Sequence, residues 1–178
     1  MTDGSNDVRI EDLKDPILTP MQHMVVDGFA GIDISFTEKA VLDAAQQRTG
    51  LSDFGPNDFR ERLAVWCRAA AEDADLGPMG KARFYGDMVR YASNRLRFHD
   101  LLGRHPEILD VEVRRPIIIA GLPRSGTTHL LNLIAADTRL RSLPYWESLE
   151  PIPDPVVATG PKAQDPRYLK CAGEYQMF

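Results

Sequence analysis

The sequence predicts an α/β fold, a parallel sheet flanked by helices and preceded by an all-helical N-terminal region. Three observations predict it. Between residues 35 and 102, apolar residues recur at helical spacing behind recognisable caps. At Val111 the composition turns β-branched, and 117–120 read Ile, Ile, Ile, Ala, a run of the kind buried on both faces of a parallel sheet. That run enters a turn bounded by Gly121 and Gly126, which opens into an amphipathic stretch. The expected organisation is an irregular N-terminal segment over 1–34, a helical region over 35–110 and the start of an α/β domain over 111–178.

Taken in order, residues 1–34 show weak periodicity and several turn formers, and the polar first few residues are expected to be mobile. Ser35 and Glu38 have capping-box spacing, so a helix is expected to about Arg48, closing at Gly50, with Ala40, Val41, Ala44 and Ala45 on one face. Asn57 or Asp58 can cap a second helix carrying Phe59, Leu63, Trp66 and Cys67, stopping near Gly77 and Pro78. A longer third helix is expected from about Lys81 to Leu102, with Phe84, Met88, Tyr91 and Ala92 in one stripe and Gly103 as its stop. His105 and Pro106 begin a short turn through Leu109. After the strand and the glycine-bounded turn, a helix over about 126–136 should turn Leu130, Leu133 and Ile134 inward, and a second short strand should follow around 141–143. Six prolines between 144 and 166 make an irregular loop, and a final helix can begin after Asp165. One strand–helix–strand unit is too little for a doubly wound sheet, so the sequence as given is expected to be incomplete, unless the sheet is completed in an unusual way.

Composition narrows the function. With 178 residues, 43% apolar and 26% charged, the chain is long enough to bury a core. The net charge of −5 divides unevenly: residues 1–112 carry −7 and residues 113–178 carry +2. The later part therefore suits an anionic ligand, while the lack of clustered lysine and arginine speaks against nucleic acid. Cys67 and Cys171 stand far apart with no second thiol or histidine at ligand spacing, which reads as free thiols in a reducing compartment and no metal site. The polar, acidic N-terminus is no secretory signal, and 117–122 is too short an apolar stretch to span a bilayer. A cytoplasmic protein without a transmembrane segment is expected.

The turn carries the chemistry. Gly121 and Gly126 have the spacing of a nucleotide-triphosphate loop, but Thr127 stands where the lysine of that loop belongs, and the cation has moved back to Arg124. The arrangement is P-loop-like, and it argues for a phosphorylated donor other than a triphosphate. The N–H groups of Ser125, Gly126, Thr127 and Thr128 should converge on one phosphate at the positive helix end, with two threonine hydroxyls and the planar Arg124 fork beside them.

Residues 122–128, Leu, Pro, Arg, Ser, Gly, Thr, Thr, resemble the 5′-phosphosulfate-binding loop of sulfotransferases that use 3′-phosphoadenosine 5′-phosphosulfate (PAPS). With the helical region before it and Leu143, Pro144, Tyr145, Trp146 and Glu147 after it, the layout of about 35–178 is similar to the bacterial, especially actinobacterial, branch. The resemblance implies sulfuryl transfer from PAPS to a hydroxyl on a small molecule, lipid or sugar. It implies that Arg124 holds the bridging and sulfonate oxygens and that Ser125, Gly126, Thr127 and Thr128 bind the 5′-phosphate. The family's 3′-phosphate residues, an arginine and a serine further along, have no match in 1–178.

Sulfuryl transfer needs charge neutralised on the leaving phosphate and a proton removed from the acceptor. An arginine and a helix N-terminus do the first without a metal, and no metal is expected. For the second, family branches use a glutamate or histidine after the second strand. Glu147 is the candidate base here, Glu150 is the weaker second, and a surface glutamate in a proline-rich loop is the plain alternative. His129 is expected to pack, Tyr145 and Trp146 either line an acceptor pocket or pack, and Arg139 and Arg141 are expected to be solvated or to cap the loop helix. The rival functions are an atypical P-loop kinase or NTPase, and a non-catalytic nucleotide-binding unit. The helical part is suited to cover an acceptor pocket or to make a subunit contact, which leaves a homo-oligomer open.

Overall fold

The computed structural model describes residues 15–153 and 165–176. The expectations for 1–14 and for residues 154–164 of the proline-rich loop lie outside the described residues; within the rest of that loop, Tyr145–Leu149 form a short helix where an irregular path was expected. Helix α1 spans Pro20–Phe29, α2 Glu38–Thr49, α3 Arg60–Glu72, α4 Pro78–Arg104, α5 Thr127–Ala135, α6 Tyr145–Leu149 and α7 Pro166–Gln176.

The core is made by α2, α3 and α4. Val41, Leu42 and Ala45 of α2, Leu63, Cys67 and Ala70 of α3, and Met88, Val89, Ala92 and Leu96 of α4 are buried together with Phe54. Phe36, Trp66, Phe84 and Tyr85 flank this cluster, and Trp66 meets Phe84 edge-to-face at 5.3 Å. The Tyr85 hydroxyl donates to the Ala40 carbonyl at 3.0 Å, locking α4 to α2. Tyr91, expected in the stripe, is half exposed.

The link from α2 to α3 is held by one side chain. Arg95 donates to the carbonyls of Phe54 (2.8 Å) and Pro56 (2.7 Å) and to Asp58 (2.9 Å), with its guanidinium over the Phe59 ring. At Gly55 the backbone is left-handed (φ 69°), and a Cβ there would sit 1.8 Å from His99 Nε2. The chain passes too close to the imidazole for any side chain.

Several ends differ from expectation. The cap of α2 is Thr37, whose hydroxyl accepts from Ala40 N–H at 3.2 Å; Ser35 lies two residues too early, and Glu38 pairs instead with Arg60 of α3. Asn57–Phe59 forms a 3₁₀ turn before α3. Helix α3 stops at Glu72, where Ala74 N–H bonds back to Ala69 and Asp75 turns left-handed. Gly103 does not end α4; the helix runs to Arg104 because the stop is Pro106, which forces His105 out of helical geometry (φ −136°, ψ 64°). Residues 20–29, expected as irregular, form α1 through a capping box: Thr19 N–H donates to Gln22 and Gln22 N–H to the Thr19 hydroxyl, with Pro20 at the first helical position.

The α/β expectation is overturned. Among the described residues there is no strand and no sheet, neither at 116–120 nor at 141–143. A strand is a paired object whose N–H and C=O groups need a neighbouring ladder. Residues 116–120 have no such neighbour, and Ile117 and Ile118 are 62% and 82% exposed. The apolar run records a preference for two-sided burial, but no layer lies on either side of it. For the same reason Leu130 and Leu133 of α5, expected inward, are exposed, while Ile134 is half-buried. The described architecture is a three-helix core with an extended, glycine-bounded arm and four further helices.

Candidate functional site

The loop enters α5 with the local geometry the glycines permit. Gly121 leaves room for its successors: a Cβ there would lie 2.8 Å from Ser125 Oγ and 2.9 Å from Thr127 Cγ2. Arg124 (φ 66°) and Gly126 (φ 89°) are both left-handed, and the two reversals bring the chain round into the first turn of α5. The first intrahelical bond runs from Leu130 N–H to the Gly126 carbonyl, so the N–H groups of Thr127, Thr128 and His129 have no helical acceptor. Left-handed backbone at a non-glycine residue is strained and concentrates at functional positions.

Ser125 differs from its expected posture. Its N–H donates to the Leu122 carbonyl at 3.2 Å, and its hydroxyl donates to the same oxygen at 2.6 Å. Both donors are used within the turn. Arg124 is exposed and, among the described residues, makes no ion pair. His129 is exposed too, and not packed as expected.

Behind the loop lies a cavity of about 790 Å³ between residues 113–119, α5 and residues 140–143. Thr127 and Thr128 line it, and so does Arg141. Arg141 reaches back to Glu147: its Nη2 donates to Oε2 at 2.6 Å. The Glu147 side chain is 18% exposed, and its Oε1 has no partner among the described residues. The structure thus brings Thr127, Thr128 and Arg141 to one cavity and joins Glu147 to it through Arg141. Arg124, Ser125 and Gly126 sit on the outer rim and are not part of the lining. Arg141 is solvated as expected, its side chain 75% exposed, but sequence reasoning missed its pairing with Glu147. Its only signal was an arginine six residues before a glutamate across a proline. Arg139 pairs with Asp137 at 2.6 Å.

Glu150 has another occupation. It accepts from Arg48 of α2 and from Lys170 of α7, each at 2.7 Å, and Arg97 of α4 lies 3.6 Å away. Burial pushes its pKa up, but the Lys170 hydrogen bond and the Lys170, Arg48 and Arg97 charges outweigh that and hold it below the ordinary glutamate value. A carboxylate clamped this way is a poor proton acceptor. Around it, the Leu149 carbonyl accepts from Asn94 at 2.8 Å, and Arg167 stacks over the buried Trp146 at 4.8 Å.

Among the described residues, no group of three or more His, Cys, Asp or Glu could hold a metal ion, and no helix is long and apolar enough to cross a membrane.

No family model and no curated protein matches the chain. Two crystal structures do. The sulfotransferase STF9 from Mycobacterium avium is 35% identical with a TM-score of 0.69, over 82% of this chain and 37% of that one. The sulfotransferase STF1 from Mycobacterium tuberculosis H37Rv is 29% identical with a TM-score of 0.67, over 79% of this chain and 39% of that one. The chain therefore spans less than two fifths of the length of either neighbour.

Proposed function

We propose that this chain, which its structural neighbours assign to the sulfotransferases, forms the donor-binding part of an enzyme moving a sulfuryl group from PAPS to a hydroxyl acceptor. The observation that carries the reading is the rim formed by Arg124, Gly126 and the first turn of α5. There an uncommitted guanidinium stands beside backbone N–H groups that lack helical acceptors. Such a rim suits one phosphate and its attached sulfonate. The open space around Gly126, where a Cβ would meet nothing within 4 Å, lets an anionic oxygen approach the backbone.

Each residue then has a task. The N–H groups of Gly126, Thr127 and Thr128, with the threonine hydroxyls, hold the 5′-phosphate. Ser125 joins them by turning its hydroxyl away from the Leu122 carbonyl. Arg124 neutralises the oxygen that bridges phosphorus and sulfur as that bond breaks, so that charge leaving with the phosphate is stabilised where it develops. The SO₃ group passes to the acceptor oxygen, whose proton must go to a base. Glu147 is that base: Oε2 is anchored by Arg141 and Oε1 is open to accept. The lysine missing from the loop weighs against a triphosphate enzyme.

Calorimetric titration with 3′-phosphoadenosine 5′-phosphate, beside ATP with magnesium, tests the donor assignment. Saturable binding of the first alone is expected, and preference for ATP overturns it. For the base, Glu147→Gln should keep donor affinity within about twofold and abolish transfer, because an amide cannot take the proton. Full turnover in that variant removes Glu147 from the chemistry.

A further inference from the structure

We propose that the cleft between α4 and the α6–α7 pair binds the anionic group, carboxylate or phosphate, of a small molecule. The cleft is separate from the loop and has a volume of about 520 Å³. Its walls carry Arg48, Arg83, Arg90, Arg167 and Lys170 against only two carboxylates, Asp87 and Glu150.

The ion pairs do not use up this charge. Arg90 is matched by Asp87 at 2.8 Å, and Arg167 by Asp165, outside the cleft, at 2.7 Å. Glu150 alone serves Arg48 and Lys170, and Arg97 as well. Arg83 makes no ion pair among the described residues. Two positive charges on the cleft wall are left uncompensated.

The excess lies on Arg83 and on the Arg48 and Lys170 that share Glu150, all more open to solvent. The two paired cations, Arg90 and Arg167, are mostly withdrawn, their side chains only 15% and 12% exposed, and both are held in place. Arg90 lies over the Tyr91 ring at 4.6 Å and donates to the Leu149 carbonyl at 3.4 Å. Arg167 stacks on Trp146 and donates to the Glu150 carbonyl at 2.9 Å. Fixed guanidinium forks bind carboxylate or phosphate with little further ordering. Trp146 also lines the cleft, and its buried indole N–H has no acceptor among the described residues.

Helix α6 puts Trp146 and Ser148 on the cleft and Glu147 on Arg141, so the cleft is placed to hold the acidic end of an acceptor. That role rests on the sulfuryl-transfer reading, whereas the binding does not.

The test is calorimetric titration of the full chain with phenyl phosphate, benzoate and the neutral benzyl alcohol. Wild type is compared with Arg83→Gln, with Arg83→Gln combined with Lys170→Gln, and with Arg124→Ala. Saturable binding of at least one anion and none of the alcohol is expected; which anion binds identifies the group. The double variant should weaken it by about tenfold. Arg83→Gln, at an exposed position, should weaken it measurably and decides the matter should the double variant fail to fold. Arg124→Ala should leave it within twofold. The proposal is overturned by equal binding of benzyl alcohol, by no saturable anion binding, or by indifference to the Arg83 and Lys170 changes. Loss in Arg124→Ala alone also overturns it, and would send the anion to the loop with the donor assignment intact.

Discussion

The helical region of α2, α3 and α4 and the arm of residues 111–143 divide the labour of this chain. Among the described residues, every buried apolar side chain except Trp146 belongs to the first, between Val41 and Leu96. The second leaves Ile118, Leu122 and Leu133 exposed and bears the uncommitted Arg124 and the free first turn of α5. One region has its apolar side chains packed and the other has groups to offer. The difference teaches where each kind of mutation should register: cavities count in the core, and lost charges count at the rim.

The sharpest way to break that contrast is a core truncation. Leu96 is fully buried, so Leu96→Ala should cost about 2–5 kcal/mol in urea unfolding. A cost under 1 kcal/mol would mean that α4 is not the keystone of the core. Arg124→Ala should do the reverse, leaving the unfolding midpoint unchanged while weakening 3′-phosphoadenosine 5′-phosphate by about 1.5–3 kcal/mol, read by titration. Thr128→Ala should cost far less, since a neutral donor is lost and not a charge. Equal losses would count against the role given to Arg124.

Glu150 ties the helical core to α7, because its partners come from α2, α4 and α7. Its pKa is held below the ordinary value, so its contribution is full above about pH 4.3 and fades as pH falls through the lowered folded value. Glu150→Gln should therefore cost about 1–2 kcal/mol at pH 7, and the gap to wild type should close in acid. A gap that persists at pH 2 would assign the effect to packing. The smallest expected effect sharpens a boundary. Thr37→Ala should lose about 1 kcal/mol as a missing cap, and Ser35→Ala close to nothing.

The core was legible because a helix announces its buried face at fixed spacing. Val41, Ala45, Leu63, Cys67, Met88 and Ala92 were placed inward by period alone, and they are buried. The turn into α5 was legible too, since Gly121 and Gly126 mark where the chain reverses before a helix. The sheet was misread because a β-branched run states only what a segment would bury, and a strand exists only beside a partner. The partners of Arg141 and Glu150 escaped for a related reason: a charged side chain carries no period that tells which carboxylate or cation it will meet.

By itself, then, the sequence determined helices α2 to α5 and α7, most of their ends within a few residues, and the core stripes, all of which depend on neighbours close along the chain. Only the tertiary structure decided that residues 116–120 stand unpaired, that Arg141 holds Glu147, and that Glu150 ties Arg48 and Arg97 to Lys170. Those outcomes turn on contacts between distant segments or on the lack of them, and one-dimensional spacing does not encode such contacts.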